Sequence, residues 1–186
     1  MVNKEFELYL AKHCAPVLFC KKPAALLAAA KLPKNCAWEK LQERGFRVFR
    51  LCFQKRPLVL LYHPALLSAA LSRKAVQETL SSLGYPAEGG WRTLLCYLRR
   101  RFLQASEFPH EVGFFLGYPP EDVLGFMACN KNSCMDCKLC GQWKVFGDAD
   151  QAARLFHEYA CCKKALLCHI EKGGSIFYGD LPALAG

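Results

Sequence analysis

Phe46-Arg-Val-Phe-Arg-Leu-Cys-Phe-Gln-Lys-Arg-Pro-Leu-Val-Leu-Leu-Tyr-His63 is the stretch on which the fold turns. Its first part mixes apolar and basic residues in a strand-like pattern. Its last part, Leu58 to His63, is a continuous apolar run typical of a buried strand. The connection between them, Gln54 to Pro57, is far shorter than the dozen or so residues a parallel crossover needs. An antiparallel hairpin is therefore expected.

Downstream, Pro64 opens a helix over 64–72, and a second follows over Lys74–Leu83. Gly84 to Gly90 reads as a loop and Trp91–Gln104 as an amphipathic helix. Phe108-Pro-His-Glu111 is a turn. Val112 to Tyr118 reads as a buried strand whose glycines allow close backbone approach. A helix over 120–129 follows, then a polar loop, the thiols Cys134, Cys137 and Cys140, and a short strand over 142–146. Asp148 caps a long helix, 149–171, which Gly173-Gly174 stops. Upstream, 4–13 reads as a short helix. Pro16 breaks it, and 17–19 reads as extended. Pro23 then starts an alanine-rich helix, and 37–44 forms another that Gly45 ends. The expectation is a mixed α+β fold in a single domain, 1–186. Helices would flank a small mixed sheet of about four to five strands.

Hydrophobic residues make up 53% of the 186 and charged residues 22%, which excludes a disordered or fibrous chain. No apolar run approaches the ~20 residues of a membrane span. The start, Met1 to Glu7, lacks the apolar stretch of a secretory signal. A cytoplasmic protein is expected, with no membrane partner. The net charge of +9 favours an anionic partner. Arg99-Arg100-Arg101 beside Tyr97 and Phe102 has the composition of a phosphate-tracking face. No helix-turn-helix, RNA-recognition or paired zinc-finger signature accompanies it, so nucleic acid is not the expected partner. Lys22, ahead of the expected helix at Pro23, and Lys144 are the candidates for holding a small anion.

Twelve cysteines are many for a reducing compartment. Cys134, Cys137 and Cys140 form two overlapping C-x-x-C pairs. Thiolates at that spacing chelate a soft metal, zinc or iron, or cycle as a disulfide. A redox or metal-handling protein would then be the partner. The iron–sulfur match is partial, because Gly141 and Gln142 stand where a further Cys-Pro is usual. Cys14 and His110 form the alternative: a nucleophilic thiol and its base, with Glu111, Asp122 or Asp148 orienting the ring. That reading makes the protein a hydrolase or transferase. The third reading is a non-catalytic module that binds an anionic ligand or nucleic acid through Lys22, the Arg99–Arg101 face and Lys144.

Several segments also carry a resemblance. They are His13-Cys-Ala-Pro16 with Lys22-Pro-Ala24; Phe108 through Val123 with Gly125-Phe126; Lys138-Leu-Cys-Gly-Gln-Trp-Lys-Val-Phe-Gly-Asp148; and Phe156 to Cys162. Together they resemble a bacterial family of unknown function, domain-of-unknown-function family 3793, over nearly the whole chain. The resemblance implies no activity. Genes of that family lie near flavodoxin or iron-transport genes, which implies redox or metal physiology by association. The chain departs from the family's usual look at Cys20 and in the extra Cys129 and Cys134.

Overall fold

The computed structural model describes residues 4–86, 89–129 and 137–184. Its central feature is a three-stranded antiparallel sheet of β1 (Ala24–Ala28), β2 (Arg47–Phe53) and β3 (Arg56–Tyr62), in the order β1-β3-β2. The hairpin read from the sequence is β2–β3. Phe53 pairs with Arg56, which leaves Gln54 and Lys55 as a two-residue turn, both at positive φ (+46° and +64°). Such turns match the right-handed twist of the strands they join.

The apolar run of β3 is explained by burial on both faces. Val59 and Leu61 enter one core, while Leu60 and Tyr62 enter another. On the first side lie α1 (Lys4–Leu18) and α8 (Ala149–Glu171), which pack against each other, together with α2 (Trp38–Glu43). The second side is covered by α3 (Pro64–Leu71), α4 (Lys74–Ser82), α5 (Gly90–Gln104) and α6 (Val112–Phe115). Next comes α7 (Pro120–Ala128). A separate two-stranded hairpin, β4 (Leu139–Cys140) with β5 (Lys144–Val145), follows it. Trp143, Val145, Ala152 and Tyr159 make a third apolar cluster between this hairpin and α8.

Four expectations are corrected, the last of them at the N-terminus, where the segment expected to break at Pro16 and run extended over 17–19 is helical to Leu18. Among the described residues five strands divide into a sheet of three and a hairpin of two, in place of one sheet of four to five. The alanine-rich segment after Pro23 is β1 rather than a helix, with Ala24 opposite Tyr62 and Ala28 opposite Leu58. Alanine's helix propensity is worth only tenths of a kcal/mol per residue. The free edge of an apolar strand demands partners for its buried N–H and C=O groups, and that demand wins. Val112–Phe115 is a short helix, not a strand. All four of its residues are buried, and a short run that is apolar on every side has no periodicity to separate the two states.

At the N-terminus α1 continues through Pro16 to Leu18. Proline costs a helix interior about 3 kcal/mol. Here it sits in the last turn, and Ala15, Val17 and Leu18 around it are buried in the core. At the other end Asp148 caps α8 as expected, its Oδ1 accepting from Gln151 N–H at 2.9 Å.

The turn yields a first prediction. A non-glycine residue at left-handed φ is disfavoured by about 1–2 kcal/mol, part of which glycine loses again to its own chain entropy. Lys55→Gly is therefore expected to stabilise the fold by about 0.5–1 kcal/mol, read as a higher midpoint in urea denaturation.

Candidate functional site

Lys22 is positioned by the turn that leaves α1. Cys20 takes a left-handed φ of +55°, and the N–H groups of Lys21 and Lys22 both donate to the Pro16 carbonyl. Pro23 then seats against Gly117. A Cβ at Gly117 would lie 2.4 Å from the Pro23 ring, and its φ is +79°, so only glycine permits this approach. The neighbouring lysines separate: Lys21 turns out to Glu158 at 2.7 Å, while Lys22 turns in and is 9% exposed.

The Lys22 ammonium lies 4.9 Å from the centre of the Tyr118 ring and 6.0 Å from that of Tyr159. No carboxylate among the described residues forms an ion pair with it. Burial pulls its pKa down from 10.5 to about 8, with Cys14 opposing weakly. Lys22 faces a cavity of about 540 Å³ that Lys21, Arg73, Glu121 and Tyr159 also line.

Tyr118 connects this place to a second cavity. Its ring stacks on Trp143 (centroids 4.7 Å apart, planes at 26°), and both rings line a space of about 460 Å³. Here the Phe108–Phe126 and Lys138–Asp148 stretches meet. His110, Cys140 and Lys144 lie among its lining residues, with Lys144 5.7 Å over the Phe126 ring.

Asp122, 2% exposed at the start of α7, holds the hairpin in place. Its Oδ2 accepts from the Trp143 indole N–H at 2.7 Å. Its Oδ1 accepts from Phe146 N–H and Gly147 N–H, each at 2.8 Å. These are charge-assisted bonds, about twice as strong as neutral ones.

The other residues singled out from the sequence fall as follows. Lys22 does not lead into a helix N-terminus, since the segment after it is β1, and Lys22 and Lys144 line different cavities. Cys14 is fully enclosed in the first core, where burial pushes its thiol up to about 12, away from the thiolate a nucleophile needs. His110 is exposed, with its ring against Phe108 and Phe126. The structure does not bring the two together. The acids weighed as orienters are engaged elsewhere. Glu111 accepts from Tyr85 Oη and Arg101 Nε, Asp122 from the hairpin, and Asp148 from α8.

Cys137 is half-buried, and its thiol donates to the Leu139 carbonyl; Cys140 is exposed, and Cys134 lies outside the described residues. Among the described residues no three His, Cys, Asp or Glu side chains gather as a metal would require. The arginine triplet disperses: Arg101 pairs with Glu111, Arg100 bonds Gln104, and Arg99 lies over Phe49. Consecutive residues on a helix point in different directions.

Tyr118 and Tyr159 lie within the segments that carry the family resemblance but are not singled out there as site residues, and Arg73 has no sequence signal. They join Lys22 from three distant helices and loops.

The fold and site define a mixed α+β protein with a buried lysine that no carboxylate among the described residues pairs, at the edge of a cavity. The chain belongs to the family described as a protein of unknown function (DUF3793), whose model matches residues 10–177. No curated protein and no solved structure matches it. Among the described residues no helix is long and apolar enough to cross a membrane.

Two predictions follow from this geometry. Asp122→Asn places an amide N–H₂ against the indole N–H and weakens the remaining bonds. It is expected to cost about 2–3 kcal/mol in chemical denaturation. For Lys22, the unfolded chain holds its proton up to about pH 10.5, whereas the folded chain releases it near 8. Between those values the unfolded state binds more protons, so this group makes stability rise with pH, by at most about 1.4 kcal/mol per unit. The component is expected to vanish in Lys22→Met, read as the difference between the two proteins' stability–pH curves.

Proposed function

We propose that the protein binds a small anionic molecule, bearing a phosphate or carboxylate, in the cavity that Lys22 faces. One observation carries this reading: an ammonium nine-tenths buried, with no carboxylate among the described residues paired to it. Burying an unpaired charge is costly, and proteins retain such groups chiefly where a ligand completes them. The surroundings agree in sign. Lys21, Lys22 and Arg73 line the cavity, against Glu121 as the one carboxylate among the described lining residues. The volume of about 540 Å³ is that of an ordinary small-ligand site. The tyrosine rings offer a face to a planar ligand body.

This is the anionic-ligand reading of the chain. Among the described residues the thiol-metal and Cys14–His110 readings have no comparable arrangement behind them. Ten cysteines among the described residues are free thiols, several of them exposed (Cys20, Cys96, Cys140, Cys168), against Cys129, which is disulfide-bonded; on that balance we keep the cytoplasm as the proposed compartment.

A ligand that binds only the folded state raises its melting temperature with concentration. At constant ionic strength, inorganic phosphate and small organic phosphates are expected to raise the Tm of the wild-type protein. They should leave Lys22→Met unmoved and act more weakly on Arg73→Gln. Equal shifts in wild type and Lys22→Met would overturn the proposal.

A further inference from the structure

Resting on that reading, we infer that the ligand carries an aldehyde or ketone as well as its anionic group, and that Lys22 captures it as an imine. The geometry favours an amine that reacts over one that only attracts. A surface phosphate or carboxylate site is served by exposed cations, and Arg73 at this cavity is exposed. Lys22 instead lines the cavity as a nine-tenths buried side chain against the Tyr118 and Tyr159 rings, and its backbone is fixed by the Pro16 carbonyl and the Pro23–Gly117 contact. Desolvation in an apolar pocket is what turns a lysine into a nucleophile. With a pKa of about 8, roughly a tenth of the amine is neutral at pH 7, against a few hundredths of a per cent for a free lysine.

The step balances without an oxidant. The neutral Lys22 nitrogen attacks the carbonyl carbon, and the carbinolamine forms. Its hydroxyl leaves as water with one proton from a general acid, and the nitrogen returns its remaining proton to that acid's conjugate base as the double bond forms. The C=O bond is thereby exchanged for C=N. Tyr159 lines the same cavity, and its hydroxyl is held 3.5 Å from the Lys21 carbonyl. Burial pushes its pKa up to about 12, so the phenol keeps its proton and can lend it to the departing hydroxide. Arg73, exposed at the same cavity, remains to hold the anionic end of the ligand. Cys14 does not compete for the carbonyl, because it is closed off in the core.

The probe is pyridoxal 5′-phosphate, which joins an aldehyde to a phosphate. Its alcohol analogue pyridoxine 5′-phosphate serves as the control. The full chain is incubated with substoichiometric aldehyde near neutral pH, reduced with borohydride, digested and mapped by mass spectrometry. The expected result is one dominant adduct at Lys22, formed about tenfold or more faster than on surface lysines. Inorganic phosphate should suppress it. Lys22→Arg keeps the charge and is expected to bind the alcohol analogue, measured by Tm, while giving no dominant adduct. Adducts spread over surface lysines, while the alcohol still raises the Tm of wild type but not of Lys22→Met, would overturn the imine and leave the anion site standing. If neither phosphate raises the wild-type Tm and no adduct forms at Lys22, both proposals fall.

Discussion

The carboxylate of Asp122 is the constraint on which the candidate site depends. It lies at the first turn of α7, is almost wholly buried, and takes three N–H donors from a hairpin more than twenty residues further along the chain. A buried carboxylate left unsatisfied costs several kcal/mol. The hairpin is therefore held to α7 by the need to satisfy that charge as well as by its apolar contacts. The indole N–H fixes the Trp143 ring, Trp143 stacks on Tyr118, and Tyr118 lies beneath the Lys22 ammonium. The platform for the lysine is thus set from the far side of the aromatic stack.

Lys22 is the opposite case. Asp122 is buried and fully engaged, whereas Lys22 is buried against the aromatic faces of Tyr118 and Tyr159. A cation over an aromatic ring gains on the order of 0.5–2 kcal/mol, which does not replace the hydration of an ammonium. The deficit appears as a lowered pKa and as a local loss of stability at neutral pH. The structure tolerates it because the surrounding framework is over-determined. The β3 strand is buried on both faces, α1 packs along α8, and Pro23 is locked against Gly117. Strain held at one point against a rigid frame is the usual condition of a ligand site.

Much of the framework was legible in the sequence because local chemistry and tertiary demand agree there. The short Gln54–Lys55 connection forced an antiparallel hairpin, Pro64 and Pro120 opened helices, and Asp148 capped α8. Where the two disagree, reading the chain failed. Ala24–Ala28 has helical composition but completes the sheet. Val112–Phe115 looks like a strand but coils, because it is buried on all sides. Pro16 looks like a helix end but lies within α1.

The site divides in the same way. The sequence by itself determined a basic, thiol-rich, mixed α+β chain, and it singled out Lys144 by charge and Lys22 by charge and by a helix expected at Pro23 that the structure replaces with a strand. Lys22 and Lys21 are adjacent and chemically identical. Nothing in the sequence says that one meets Glu158 in water while the other is enclosed by Tyr118 and Tyr159. Likewise Cys14 reads as a nucleophile until its position in the core removes its access to solvent. Only the tertiary structure decided these outcomes. The reactivity of an ionisable side chain depends on what surrounds it, and here those surroundings come from residues distant in the chain.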